Sequence, residues 1–180
     1  MSDFWVFGYG SLMWQPGFRY VGLSPAMLRG AHRSLCVYSW VHRGTQERPG
    51  LVLGLDRGGA CRGVAFRVAG ADREPVMRYL RERELATDVY REVERPVELL
   101  SADPPSARTI AVAYVVDRTH RQYAGELPRE ELLRLVKESS GRSGANAEYI
   151  LNTVAHMRAI GIRDATLEWL ADNLGGERQG

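Results

Sequence analysis

Hydrophobic residues are spaced along this chain in two ways. Short runs rich in β-branched and aromatic residues recur at Trp5 to Tyr9, Ser34 to Trp40, Gly50 to Leu55, Cys61 to Val68, Glu94 to Leu100 and Ile110 to Val116. Each is bounded by Gly, Pro, Asp or Arg and predicts a strand. Elsewhere the spacing is helical. Asp72 is placed to cap a helix with Pro75 in its first turn and Val76, Met77 and Leu80 as its stripe. Residues 130–138 set Leu132, Leu133, Leu135 and Val136 at helical intervals. Asn146 is expected to cap a third helix carrying Ile150, Leu151, Val154 and Met157 and ended by Gly161. Asp164 is expected to cap a fourth, with Leu167, Leu170 and Leu174 on one face. Many short strands with glycine-rich connections predict an α+β fold with a curved sheet or small barrel, on which the C-terminal helices pack.

Composition narrows this picture. The 180 residues, 44% hydrophobic and 26% charged, predict a single domain over residues 1–180. No run reaches the length of a membrane span, and Met1-Ser2-Asp3-Phe4 lacks a leader pattern, so a cytoplasmic protein with no membrane partner is expected. The 24 basic and 22 acidic residues nearly cancel, and arginines alternate with glutamates, which argues against a nucleic-acid partner. Cys36 and Cys61 lie far apart inside apolar stretches, as buried thiols rather than a bridge or metal pair. His32, His42, His120 and His156 show no metal-ligand spacing. Nothing in the pattern sets an oligomeric state.

Three places could carry chemistry. On the first predicted helix, Val76, Leu80 and Glu84 fall in one row and Glu82 nearly opposite, so Glu84 extends the apolar stripe. A carboxylate there is an ion-pair partner, the end of a fraying helix, or a general base whose pKa is raised by desolvation. The segment Gly8-Tyr9-Gly10-Ser11 lacks the third glycine of a dinucleotide fingerprint, where Met13 stands, and the Gly-Lys ending of a P-loop. It is either a tight turn or a cradle whose N–H groups converge on a carboxylate or oxyanion. The polar stretch from Trp40 to Gly50 is either a solvated hairpin or a substrate-gripping loop, with Arg43 offering a forked donor.

Taken together these residues resemble the ChaC-like γ-glutamylcyclotransferases, the glutathione-specific branch. The likeness runs in order along nearly the whole chain, through Val6-Phe7-Gly8-Tyr9-Gly10-Ser11-Leu12, His42-Arg43-Gly44-Thr45 and Pro49-Gly50-Leu51-Val52-Leu53-Gly54-Leu55. It continues through Gly63-Val64-Ala65-Phe66, Tyr79-Leu80-Arg81-Glu82-Arg83-Glu84, Asn146-x-Glu148-Tyr149 and Gly161-Ile162-x-Asp164. The resemblance implies a small, strongly curved mixed β-barrel flanked by helices. It also implies an enzyme, with no cofactor and no metal, that converts glutathione to 5-oxoproline and cysteinylglycine. Glu84 matches the acid/base, Val6, Phe7, Gly8, Tyr9, Gly10, Ser11 and Leu12 match the substrate pocket, and Arg43 is the candidate for gripping the substrate. Gln46 and Ala147 depart from the family pattern, where a proline and an arginine are usual. A cyclotransferase for another γ-glutamyl-amine or dipeptide, or a non-catalytic γ-glutamyl-binding module, is the alternative.

Overall fold

A computed structural model describes residues 1–101 and 107–175. Five strands close into a mixed barrel in the order β1-β3-β2-β4-β5. They are β1 (Phe4–Gly8), β2 (Gly22–Ser39), β3 (Gly50–Val68), β4 (Tyr90–Leu99) and β5 (Ala107–Val116). β1 pairs antiparallel with β3 and parallel with β5, and β4 runs antiparallel to both β2 and β5. Among the described residues the α-helices are α1 (Arg73–Glu84), α2 (Arg129–Glu138), α3 (Asn146–Ala159) and α4 (Ala165–Leu174). The expected barrel and helices are therefore present. No described helix is long and apolar enough to cross a membrane.

Two strands are much longer than the pattern predicts, and β4 and β5 each begin a few residues early. β3 joins Gly50 to Leu55 with Cys61 to Val68, because Gly58 and Gly59 take left-handed conformations (φ 99° and 71°) that bend the strand without ending it. β2 likewise begins at Gly22 and bends at Gly30 (φ 90°).

The chain divides into two compact units, residues 1–34 with 54–120 and residues 35–53 with 121–180. In the first, Val76, Met77 and Leu80 of α1 pack on Phe4 and Val6 of β1, Val68 of β3, and Val112 and Tyr114 of β5, with Leu12 completing the cluster. Asp72 stands at the start of α1, but its side chain makes no capping bond. A short 3₁₀ turn, Gly70–Asp72, runs into the helix and gives Asp72 φ −93° and ψ 3°, whereas capping needs an extended residue.

In the second unit α2, α3 and α4 pack on one another. Asp164 caps α4, accepting from the Leu167 N–H at 3.0 Å. Asn146 does not cap α3. The cap position is Ala145, and Asn146 is the first helical residue, 0% exposed. Its side chain accepts from the Leu51 N–H and donates to the Leu51 carbonyl, both at 2.9 Å, so it satisfies two buried backbone groups of β3. Leu151 is exposed at the edge of the α3 stripe, and Thr153 is buried instead.

Removing the amide of Asn146 orphans both groups of Leu51. Asn146→Ala is expected to lower stability by roughly 2–4 kcal/mol in urea denaturation followed by circular dichroism. The exposed Asn152→Ala should stay within about 0.5 kcal/mol of the parent.

Candidate active site

β1 stops at Gly8 and the chain turns back at once. Ser11–Met13 forms one 3₁₀ turn, in which the Met13 N–H donates to Gly10 O at 2.9 Å and the Gln15 N–H to Ser11 O at 2.8 Å. Gly8 permits this close approach, since a Cβ there would lie 3.0 Å from Leu12 Cβ and 3.3 Å from Met13 N. The first N–H groups of a helical turn have no partner within it, and here those of Ser11 and Leu12 are among them. Arg33 Nε donates to Tyr9 O at 2.6 Å and fixes the corner. The side chains of Val6, Phe7, Tyr9 and Leu12 are buried, and Gly8 with them, so the segment meets solvent mainly at Gly10 and the exposed Ser11.

α1 brings Glu84 to the same region. Val76 and Leu80 of its row are buried in the core with Leu12, and the helix persists through Glu84, with the Leu85 N–H donating to Arg81 O. The Glu84 side chain is 16% exposed, while Glu82 faces solvent. Burial raises the Glu84 carboxyl above its usual range, and the positive charge of Arg83, with Nε 3.5 Å from Glu84 Oε1, works in the other direction. Desolvation is the larger of the two effects.

Arg83 is the residue that sequence reasoning missed. Its guanidinium donates to Ser11 Oγ at 2.8 Å, Gln15 O at 2.7 Å, Pro16 O at 3.2 Å and Tyr79 Oη at 3.1 Å. It thus ties the turn after β1 to the last turn of α1, and so joins two of the expected site elements. The available signals were weak: it adjoins Glu84, and it stands four residues after Tyr79 on one helix face.

A second carboxylate nearby behaves oppositely. Arg81 holds Glu92 through two bonds of 2.9 Å, and this hydrogen bonding pulls the Glu92 carboxyl below its usual range. The Tyr114 hydroxyl donates to Glu92 Oε2 at 3.2 Å. Its pKa is pushed well up, first by burial and then by Glu92, with a smaller contribution from the charge of Glu84.

Arg43 belongs to the second unit, in the loop between β2 and β3. Its backbone N–H donates to Ser39 Oγ at 3.0 Å, its Nη1 donates to Ala145 O at 3.3 Å, and its guanidinium lies over the Tyr149 ring at 5.6 Å. Tyr149 in turn accepts from the Leu53 N–H at 3.1 Å. His42 Nδ1 bonds Ser143 Oγ at 2.8 Å, so this polar loop is fastened to the turn before α3. Among the described residues, no group of three or more His, Cys, Asp or Glu side chains is placed to hold a metal ion.

Known proteins share the sequence pattern and the fold of this chain. A family model described as ChaC-like protein matches residues 4–175. The glutathione-specific γ-glutamylcyclotransferase of Escherichia coli (strain K12) is 31% identical over 161 residues, 89% of this chain and 68% of the relative. The glutathione-specific γ-glutamylcyclotransferase 1 of Mus musculus is 34% identical over 175 residues, 95% of this chain and 78% of the relative. A crystal structure of a yeast γ-glutamylcyclotransferase specific to glutathione superposes with a TM-score of 0.84 at 21% identity, covering 97% of this chain and 96% of that one, which shows a common fold. As the family match reaches from the first residue of β1 to just past the end of α4, this chain belongs to the ChaC-like protein family.

Proposed function

We propose that this protein is a glutathione-specific γ-glutamylcyclotransferase that releases 5-oxoproline and cysteinylglycine, with Glu84 as its acid/base. The observation that carries the assignment of the base is the placing of Glu84, desolvated at the end of α1 and linked through Arg83 to the turn at Ser11–Met13. The relatives named for this activity, at 31% and 34% identity, support the substrate. Residues 1–180 act in this reading as one catalytic domain, supported by the unbroken family match. A cytoplasmic setting accords with Cys36 and Cys61 as buried thiols.

The substrate carries its own nucleophile. The α-amine of its γ-glutamyl group attacks the γ-carbonyl carbon and closes a five-membered ring. A free α-amine titrates near 8, so it arrives mostly as ammonium and must first give up a proton. Glu84 takes that proton, aided by a carboxyl whose proton affinity burial has raised. The N–H groups of Ser11 and Leu12 and the Ser11 hydroxyl hold the α-carboxylate or the oxyanion of the tetrahedral intermediate. When the intermediate collapses, the bond from the γ-carbon to the cysteinyl nitrogen breaks and Glu84 returns the proton to that nitrogen. Because the attack is intramolecular, holding the chain folded back supplies much of the rate, with effective molarities of about 10⁵–10⁸ M. Val6, Phe7 and Leu12 contribute by packing the turn in place, and Gly8 to Gly10 by their backbone. Arg83 is a positioning residue.

Glu84→Gln is expected to lower 5-oxoproline release at least about a hundredfold with the fold intact, and Glu82→Gln to leave it nearly unchanged. The opposite pattern would reassign the base. The acid limb of kcat/KM should fall above the ordinary carboxylate value of 4.5, and Arg83→Gln should move it higher still by deleting the opposing charge. The folded state holds the Glu84 proton more tightly than the unfolded chain does. The Glu84 contribution to stability should therefore fall as pH rises from 4.5 through its folded-state value, and this component should be missing from Glu84→Gln when denaturation curves of the two proteins are compared across pH.

A further inference from the structure

Strand β4 sorts its charges by face. Arg91, Val93, Arg95, Val97 and Leu99 share one side, and Glu92, Glu94 and Glu98 share the other. Two of these glutamates have partners, since Arg81 binds Glu92 while Arg29 and Arg108 bind Glu98. On the arginine side Arg91 is paired and, among the described residues, Arg95 is not.

That side opens on a cavity of about 390 Å³ within the first unit. Leu55, Val93 and Val115 supply apolar lining, and Arg57, Arg91, Arg95 and Arg118 bring four positive charges. The register places Ala113 across from Val93 and Ala111 across from Arg95, and these short side chains leave room beside the arginines. Arg91 is bound to Asp117 at 2.7 Å and Arg118 to Asp56 at 2.9 Å. Arg57 and Arg95 have no carboxylate within ion-pair reach among the described residues, and both are exposed. Two positive charges are therefore left over beside an apolar wall.

We propose that this cavity binds a small, multiply charged phosphate compound of nucleotide size. Arginine forks match phosphate oxygens and hold them through charge-assisted bonds. The apolar lining accepts the uncharged body of such a ligand, and the volume lies within the range of small-molecule sites. None of these residues takes part in the glutathione reaction described above, so this site stands independently of that reading.

Calorimetric titration at low salt tests the proposal with three probes: adenosine 5′-triphosphate, inorganic pyrophosphate and adenosine. The triphosphate is expected to bind once per chain, pyrophosphate to bind more weakly, and adenosine to give no measurable binding. The double variant Arg57→Glu, Arg95→Glu should weaken triphosphate binding by at least about tenfold. Its glutathione turnover should stay within about twofold of the parent, which also reports a sound fold. No binding by either anion, unchanged binding in the double variant, or equal binding of adenosine would overturn the proposal. So would competition between the triphosphate and a glutathione analogue.

Discussion

Burial of three side chains, Val76, Met77 and Leu80 of α1, against β1, β3 and β5 is the constraint from which the candidate site follows. A helix held by that row has no freedom to rotate. The next position along it, one turn beyond Leu80, must lie where the apolar surface ends and the turn after β1 begins. Glu84 occupies that position, and it is partly desolvated because the row beneath it is. Arg83, one step round the helix, then reaches across to the turn itself. Packing sets the placing, and the polar contacts refine it.

The same region separates two glutamates by their surroundings. Glu92 is tied to Arg81 and Tyr114 by well-formed hydrogen bonds and stays ionised. Glu84 meets only the edge of a guanidinium whose other nitrogens serve carbonyl and hydroxyl oxygens, and it keeps its proton more readily. A carboxylate with saturated partners makes a structural anchor, and one with unsaturated demand can exchange a proton with a ligand. Pushing two like groups apart in this way is how a folded chain divides roles between them.

Much of this was legible in the sequence, and the exceptions have physical causes. The row Val76-Leu80-Glu84 could be read because helical periodicity is local, and so could Asp164 as a cap. The continuity of β3 through Gly58 and Gly59 could not, since a glycine pair looks the same as a turn or as a bend within a strand. Asn146 carried a capping signal, yet its amide serves a strand residue 95 positions earlier, a demand invisible to any local window. Arg83 escaped because its main acceptors, Gln15 O and Pro16 O, are backbone carbonyls that every residue possesses.

The two units are interleaved along the chain, with residues 35–53 of the second set between two segments of the first. As the protein leaves the ribosome, its opening 34 residues must wait for the stretch that ends at residue 120. Residues 35–53 wait longer still, for the helices that follow. Neither unit can close before its own second segment has been made. No single cut yields either unit as one continuous piece: a fragment ending at residue 120 would carry all of the first unit, but with residues 35–53 of the second still threaded through it.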